Sequence, residues 1–346
     1  MAWTMPAETA PHERTWMAFP SEGETLGSTE AEREEGYEAW AAVARAIAEF
    51  EPVTMVADPS EVGRARRMLG SGVDVVEAPV DEFWMRDVGP TFVRDTEDPQ
   101  RIGAVDWIFN GWGDNDWAQW EKSAELGRFV AESAGVERVS SVLVNEGGGI
   151  HTDGEGTILA TETVQLDPRR NPYATRERVE AEFARTLGAR KVIWLPQGLT
   201  RDYDEFGTNG HVDIVATFTS PATVLVHDQQ NPEHPDHAVS AKIRQALEGQ
   251  TDAEGRPLRI LDLPAPSRLH DEFGPVDWSY VNHYVANGAV IACSFGDDAA
   301  DARAREVLGE AYPGREVVSV EARPIFDRGG GIHCITQQQP SGGDLA

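Results

Sequence analysis

The hydrophobic positions of this chain alternate between two periods. Residues 31–50 carry apolar side chains at helical spacing, which predicts a helix, and the apolar run "PVTMVAD" (52–58) is typical of a short buried strand. A second pair follows at once, because 59–70 predicts a helix that ends at a glycine and 73–80 predicts another strand. The chain therefore begins with helices and strands in alternation.

The same rhythm returns further along the chain. The additional predicted elements are helix 178–189 with strand 191–196, strand 222–228 with helix 238–249 and strand 259–266, and strand 288–296 with helix 301–314 and strand 316–326. Alternating strands and helices indicate the α/β class, and their recurrence indicates one supersecondary unit used several times. We expect a single domain over 1–340 and a frayed tail over 341–346, because no low-complexity linker divides the chain.

Composition narrows the classes of function. The chain has 346 residues, a net charge of −29 and two cysteines. This excess of acids disfavours nucleic-acid binding, which needs basic patches. It would attract a cationic small molecule, although a solvated acidic surface is the simpler explanation. The few cysteines fit a reducing cytoplasm, and no apolar run is long enough to predict a membrane span.

Five short segments place polar side chains where neighbouring units should meet. They are "WMRDVGP" (84–90), "EGGGIH" (146–151), "NGHVD" (209–213), "YVNHYVANG" (280–288) and "RGGGIHC" (328–334). Each contains glycine, which lets the backbone approach a ligand closely. These segments are therefore the candidate site loops.

The two cysteines have different surroundings. Cys293 lies in the apolar run "AVIACSF", which indicates a buried structural thiol, whereas Cys334 follows three glycines, Ile and His and precedes the polar stretch "ITQQQP". Cys334 is the candidate nucleophile. A thiolate attacks strongly once its pKa is lowered or once a cationic substrate stabilises the anion.

A thiol nucleophile needs a proton-transfer partner. His333 is adjacent to Cys334 and would point to the opposite face of a strand, which favours a structural role. His211 and Asp213 would project to the same side of an extended strand, although a partly buried histidine beside a surface aspartate explains the pattern equally well. His151, His211, Asp213 and His333 could also form a metal site, but their spacing is loose and a metal would occupy the thiol.

Asp87 lies just before Gly-Pro, where an aspartate either caps a turn or forms a cation clamp with Asp213. A carboxylate accepts the paired N–H groups of a guanidinium side by side. Two such clamps would orient the planar cation and hold its central carbon in front of the thiolate. A small cationic guanidino compound is therefore the favoured substrate.

These motifs, in this order, resemble those of the agmatine deiminase family, which belongs to the guanidine-modifying enzymes. The matching stretches are "MPAETAPHERTWMAFP" (5–20), "WMRDVGPTFV" (84–93), "EGGGIHTDGEGTILATE" (146–162), "GHVDIVATF" (210–218), "SYVNHYVANGAVI" (279–291) and "GGGIHCITQQQP" (329–340). The resemblance implies a pentein fold, which is a five-bladed α/β propeller of ββαβ-type units. It also implies that no cofactor or metal is needed and that the protein is a homo-oligomer.

The resemblance further implies roles for individual residues. Cys334 would be the nucleophile, His211 the general acid and base, and Asp87 and Asp213 the guanidinium clamps. The residues implied to line the pocket are Trp84, Glu146 and Asn282. Agmatine would be converted to N-carbamoylputrescine and ammonia through a covalent thiouronium on the cysteine.

Two departures from the family pattern affect the site. Many members carry Asn where this chain has Gly331, which we expect to make the loop more flexible. Many also carry acids directly before Gly-His-Val-Asp, where this chain has Gly207, Thr208 and Asn209, so Glu205 would have to reach the distal amine of agmatine. Deimination of peptidyl-arginine or free arginine, and a non-catalytic binding role, therefore stay open as alternatives.

Overall fold

A computed structural model of the chain describes residues 2–343, so positions 344–346 of the predicted tail lie outside the described residues. The strands are β1 Trp3–Thr4, β2 His12–Ala18, β3 Val53–Ala57, β4 Asp74–Glu77, β5 Thr91–Asp95, β6 Ile102–Ile108, β7 Glu137–Val144, β8 Ile150–Thr152, β9 Thr157–Thr161, β10 Lys191–Leu195, β11 Ala216–Ser220, β12 Thr223–Asp228, β13 Arg259–Pro264, β14 Tyr284–Ala286, β15 Ala289–Ser294, β16 Glu316–Glu321 and β17 Gln337–Pro340. The helices are α1 Glu30–Ala48, α2 Val62–Leu69, α3 Met85–Val88, α4 Gly111–Asp114, α5 Leu126–Ala134, α6 Glu162–Gln165, α7 Arg176–Leu187, α8 Pro235–Leu247, α9 Asp298–Ala311 and α10 Arg323–Phe326.

The strands form five small sheets that repeat one ββαβ unit. In each unit the first strand pairs antiparallel with the second, a helix follows, and the third strand pairs parallel with the second. The units are β5-β6-α5-β7, β8-β9-α7-β10, β11-β12-α8-β13, β14-β15-α9-β16 and β17-β2-α1-β3. Strands β1 and β4 extend two of the sheets. The predicted five-bladed propeller of ββαβ units is confirmed.

The two ends of the chain share one sheet. Strand β17 pairs antiparallel with β2, where Gln337 opposes Trp16, and the Trp16 indole donates to Gln339 Oε1 at 2.8 Å. This pairing covers the strand edge that β2 would otherwise expose. It also fixes the segment before β17, which carries Cys334.

Helix α1 shows how local sequence produces these elements. Thr29 and Glu32 form a reciprocal capping box at its start. Its buried face includes Trp40, Val43 and Ile47, at the spacing that places side chains on one side of a helix. Each buried Val or Ile contributes roughly 1.5–3 kcal/mol relative to exposure, so this face anchors the helix to the core.

Two sequence predictions of secondary structure need correction. The unit β5-β6-α5-β7 was missing from the predicted repeats, because polar residues such as Arg94 and Asp95 interrupt the apolar pattern of its strands. The strand predicted over 316–326 is too long. It ends at Glu321, and helix α10 follows with Pro324 in its first turn, where proline is well tolerated.

None of the helices formed by residues 2–343 combines the length and the apolar character that crossing a bilayer requires.

Candidate active site

The five polar segments meet, and hydrogen bonds join each segment to the next. Each segment begins just before the first strand of its unit, and those over 146–151 and 280–288 continue into that strand, so the repeat itself brings the segments to one place. The bonds, in order, are Gly148 N to Asp87 Oδ1 (3.0 Å), His211 Nε2 to Glu146 Oε2 (3.2 Å), Asn282 Nδ2 to Asp213 O (3.3 Å), Asn282 Nδ2 to Cys334 Sγ (3.2 Å) and Arg86 N to Cys334 O (3.0 Å). The result is a closed ring of buried polar groups.

The "GHVD" segment enters this ring as a turn. Val212–Ile214 form a short 3-10 helix and strand β11 begins only at Ala216, so the prediction that His211 and Asp213 share one side of an extended strand is wrong. The buried carboxylate of Asp202 accepts the backbone N–H of His211 at 3.0 Å, and also those of positions 208 and 210, which curls the loop. The turn nevertheless brings both side chains toward Gly148.

Cys334 is buried beside carboxylates. Its Sγ lies 3.5 Å from Asp213 Oδ2, and a Cβ atom added at Gly330 would lie 3.0 Å from Sγ and 2.8 Å from the Trp84 ring, so the indole is close to the thiol. Burial, together with the charges of Asp213 and Asp87, raises the pKa of the Cys334 thiol well above its usual value. A neighbouring cation would therefore favour thiolate formation.

Asp213 has one engaged oxygen and one free oxygen. Its Oδ2 accepts from His333 Nδ1 at 2.8 Å, whereas its buried Oδ1 has no hydrogen-bond partner among residues 2–343. Burial opposes ionisation, but the hydrogen bond and charge of His333 outweigh it and keep the pKa of Asp213 below its usual value. Asp213 is therefore an ionised carboxylate with an oxygen available to a cation.

Asp87 is held from two sides. Its Oδ1 accepts from Gly148 N at 3.0 Å and its Oδ2 accepts from the Trp112 indole at 3.0 Å. Burial raises the pKa of Asp87 to about 6, because the nearby charge of His211 only partly compensates and the carboxylates of Asp213 and Glu146 add to the shift. Each oxygen keeps a further lone pair with which to accept a bond from a cation.

His211 presents one nitrogen to the centre of the ring. Its Nε2 faces Glu146, while its buried Nδ1 has no hydrogen-bond partner in the described part of the chain and lies 3.8 Å from Asp87 Oδ1. Burial disfavours the imidazolium, but Asp87 and Glu146 outweigh it and raise the pKa of His211 to about 9. At neutral pH the imidazole is therefore protonated, with an Nδ1–H available for donation.

Two residues that support the site, Arg170 and Trp112, are not predictable from the sequence pattern. Arg170 is fully buried and its Nε lies 3.0 Å from Glu146 Oε1, so it fixes the carboxylate behind His211. No spacing pattern in the sequence connects Arg170 to Glu146, because the two are paired only in the folded protein. Trp112 also gave no signal, because an indole bond to Asp87 depends on tertiary contact alone.

The remaining predicted residues divide into two groups. Trp84, Glu146 and Asn282 are buried and belong to the ring or contact it, whereas Glu205 is exposed and lies apart from it, on the wall of a separate cavity. Gly331 has a steric reason to lack a side chain, since an added Cβ would lie 2.4 Å from Asn282 Oδ1.

One buried group has the spacing of metal ligands. The side-chain ligand atoms of Glu8, His151 and His333 lie within 4.8 Å of one another. However, His151 Nδ1 accepts the N–H of Phe218 at 3.1 Å, so its Nε2 carries the proton. Both nitrogens of His333 face carboxylates at 2.8 Å and act as donors. This protonation pattern favours an ion-pair network over a metal site.

Gly148 leads to a steric prediction. An added Cβ would lie 2.5 Å from His211 Nδ1 and 2.9 Å from Asp87 Oδ1, so Gly148→Ala should push the imidazole and the carboxylate apart. A displacement of about 1 Å can cost roughly 100-fold in rate, and we expect at least that loss in kcat/KM, measured by ammonia release. The overpacking should cost only about 1–3 kcal/mol of stability.

Gly149→Ala is the matched control for this variant. Its added Cβ would meet Val164 at 3.1 Å and Gln165 at 3.2 Å, away from the thiol. We expect a loss of activity below about tenfold there, since these side chains need to give by only a few tenths of an ångström. Equal activity losses in the two variants would contradict the position assigned to Gly148.

Comparisons with known proteins identify the family of this chain. Residues 4–340 match the family described as Porphyromonas-type peptidyl-arginine deiminase. A relative from Streptomyces coelicolor is 54% identical over 342 residues, which cover 98% of this chain and 99% of the relative. The agmatine deiminase of Stutzerimonas stutzeri is 39% identical over 97% of this chain and 95% of its own length. The solved structure of Enterococcus faecalis agmatine deiminase has a TM-score of 0.90 at 31% identity, covering 98% of this chain and 96% of that one.

Fold and relatives together define the class as guanidine-modifying hydrolases, which act on linear amidines. Within that class the chain belongs to the Porphyromonas-type peptidyl-arginine deiminase family, alongside the agmatine deiminases. The family predicted from the sequence motifs is confirmed.

Proposed function

We propose that this protein hydrolyses agmatine to N-carbamoylputrescine and ammonia, with Cys334 as the nucleophile. One observation carries the proposal. Two buried polar atoms without partners, Asp213 Oδ1 and His211 Nδ1, lie in the same ring as the Cys334 thiol and the Asp87 carboxylate. Buried polar groups are normally satisfied, so unpaired ones indicate a ligand. A guanidinium supplies donors for the carboxylates and leaves its carbon free for attack.

The guanidinium also activates the thiol. Before it binds, burial and the charges of Asp213 and Asp87 keep Cys334 protonated. A cation held by those carboxylates offsets their charge and stabilises the thiolate, so the thiol proton passes to solvent on binding, where a proton is later taken up by the released ammonia. His211 does not receive that proton, because its imidazolium is already formed.

The chemistry then runs through two tetrahedral species. The Cys334 thiolate attacks the guanidinium carbon and forms a C–S bond. His211 Nδ1 donates its proton to the departing nitrogen, the C–N bond breaks, and ammonia leaves. A covalent S-alkylthiouronium remains on Cys334. Neutral His211 next takes one proton from water, which attacks the same carbon. The C–S bond then breaks and the second proton of that water passes to the sulfur, which gives the ureido product, the Cys334 thiol and a protonated His211.

The pH dependence follows from three of these groups. Asp87 must be ionised to clamp the substrate, and its pKa is about 6, so kcat/KM should rise as pH increases through about 6. His211 must carry a proton to release ammonia, and its pKa is about 9, so the rise of kcat/KM that comes from loss of the thiol proton should level off above about 9. The pH profile of kcat/KM should therefore be steepest below about 6 and flat above about 9. A rise that continues undiminished above about 9 would contradict the role of His211.

A cavity of about 320 Å³ adjoins the Cys334 loop and supports the choice of agmatine. Its walls are Arg201, Asp204, Glu205, Phe206, Gly207, Phe273, Asp277, Phe326, Asp327 and Gly329. Four of these are carboxylates, and the one arginine, Arg201, is paired with Asp271 at 2.5 Å. The buried Asp277 has an Oδ1 without a partner. This lining favours a distal ammonium, which agmatine carries, over the additional carboxylate of arginine.

The substrate assignment is tested by competition. We expect agmatine to be preferred to arginine by at least 100-fold in kcat/KM, because the arginine carboxylate would meet buried like charge. Asp277→Asn and Glu205→Gln should each raise KM for agmatine, with the larger effect at the buried Asp277. Methylguanidine lacks the distal amine and is the control, since its kinetics should not change. An unaltered KM for agmatine in both variants would contradict the assignment of this cavity.

A further inference from the structure

Both histidines of the repeated Gly-Gly-Gly-Ile-His sequence contact one buried carboxylate. His333 Nε2 lies 2.8 Å from Glu8 Oε1, and His151 Nε2 lies 3.5 Å from Glu8 Oε2. Glu8 comes from the N-terminal segment and takes no part in the chemistry described above. The two Gly-Gly-Gly-Ile-His repeats thus place their histidines against the same buried carboxylate, Glu8.

The two histidines differ in protonation because their second nitrogens face different partners. The backbone N–H of Phe218 donates to His151 Nδ1 at 3.1 Å, so His151 is neutral with its proton on Nε2. His333 instead faces Asp213 Oδ2 through Nδ1 and Glu8 Oε1 through Nε2, each at 2.8 Å. Both nitrogens of His333 therefore carry protons, and the ring is an imidazolium between two carboxylates.

The charges around this imidazolium are balanced. Arg86 Nη1 lies 3.3 Å from Glu8 Oε1, so the Glu8 carboxylate has two cationic neighbours. Burial opposes ionisation of Glu8, but the charges of His333 and Arg86, together with the hydrogen bond from His151, outweigh it and hold the pKa of Glu8 well below the usual value. The buried Cys334 Sγ lies 3.5 Å from Asp213 Oδ2, the same oxygen that accepts from His333. Removing the charge of His333 would leave two buried carboxylates with too few cations.

We propose that His333 is a positioning residue for the guanidinium clamp. By occupying Asp213 Oδ2, it keeps that carboxylate ionised and turns Oδ1, which has no protein partner, toward the substrate. Glu8 fixes the far side of the His333 ring and sets its orientation. This assignment rests on the proposed function, in which the Asp213 clamp binds the guanidinium of the substrate. It gives His333 a role in substrate binding in addition to packing.

His333→Gln and His151→Gln form a matched pair for the test. Both remove a buried histidine that contacts Glu8, but only His333 contacts Asp213. In His333→Gln we expect the acid limb of the kcat/KM profile, which Asp87 sets in the unmutated protein, to steepen and move to higher pH, because Asp213 loses its cationic neighbour and a second carboxylate must then ionise over the same range. We also expect a loss of roughly 100-fold at neutral pH from misplacement of the carboxylate. In His151→Gln the acid limb should stay where it is in the unmutated protein. Activity losses without a shift of the acid limb in His333→Gln would overturn the assignment.

A second measurement does not depend on agmatine turnover. Methylguanidinium should protect Cys334 from alkylation by iodoacetamide, with the alkylated site identified by peptide mass. His333→Gln should require roughly tenfold more methylguanidinium for the same protection, and His151→Gln should not. Equal protection in both variants would overturn the positioning role even in a protein that hydrolyses agmatine. Failure of the unmutated protein to hydrolyse agmatine, with protection still weakened in His333→Gln, would instead overturn the proposed substrate and support the positioning role.

Discussion

Replacing Cys334 by alanine is expected to abolish agmatine hydrolysis, with a loss in kcat of about 10⁵- to 10⁶-fold. Removal of a covalent nucleophile costs about this much in other hydrolases, because the remaining groups bind the substrate but have no bond-forming partner. Asp87 and Asp213 stay in place in this variant, so it should still bind agmatine. Ammonia release and a binding isotherm, measured on the same preparation, check both statements.

Cys293 provides the control for this variant. It is the other thiol of the chain, it is buried, and its Sγ donates to the backbone oxygen of Asn282 at 3.2 Å. Burial raises the pKa of Cys293 to about 12, so it stays a thiol at neutral pH. Cys293→Ala should lose stability, by about 1–3 kcal/mol, and keep its turnover. Turnover lost in Cys293→Ala and retained in Cys334→Ala would reverse the assignment of the nucleophile.

Replacing His211 by glutamine should lower kcat by roughly 10²- to 10⁴-fold, the usual contribution of general acid–base catalysis. The departing nitrogen would leave without a proton, and the later attack of water would have no base. Asparagine or glutamine cannot supply an acidic N–H at the position of Nδ1. Steady-state rates and single-turnover formation of the adduct, measured separately, show which of the two steps is slowed.

Alkylation of Cys334 distinguishes a chemical loss from a misfolded site in His211→Gln. The thiol and the carboxylates of Asp87 and Asp213 should persist, so iodoacetamide should still modify Cys334 and methylguanidinium should still protect it. Turnover at the unmutated rate in this variant would exclude His211 as the acid.

Most of the fold can be predicted because the strands and helices of most repeated units contain clear apolar runs. The third strands of several units, such as β3 and β10, are short apolar segments preceded by helices, and period 3.6 changes to period 2 at each boundary. The unit that escaped prediction is the one whose strands contain Arg94 and Asp95 among buried positions. Hydrophobic patterning cannot report a buried charge that tertiary partners satisfy.

The site was predictable only as far as its residues stand in motifs. Polar surroundings in the sequence distinguish Cys334 from Cys293, and the five polar segments predicted at the junctions of the units are joined by hydrogen bonds in the structure. The loops that complete the site could not be derived, because Trp112 and Phe206 have positive φ angles of 56° and 65°. L-residues rarely adopt this left-handed region, and the spacing of hydrophobic residues carries no information about it.

His333 shows the same limit in another form. Its adjacency to Cys334 suggested a strand with the imidazole turned away, yet residues 332–335 form a turn and His333 Nδ1 reaches Asp213. Sequence distance could not reveal that Glu8, more than three hundred positions earlier, completes the network. Contacts of that kind arise only when the ends of the chain close the propeller.

We expect a guanidinium carbon to become bonded to Cys334 during turnover. The most direct test is acid quenching of the protein during hydrolysis of agmatine, followed by mass analysis of the peptide that carries residue 334. The peptide that carries residue 334 should gain a mass equal to agmatine minus ammonia. The peptide that carries Cys293 should not gain this mass, and neither should any peptide of Cys334→Ala. Undiminished turnover with no adduct on Cys334, or with the adduct on another residue, would contradict this expectation.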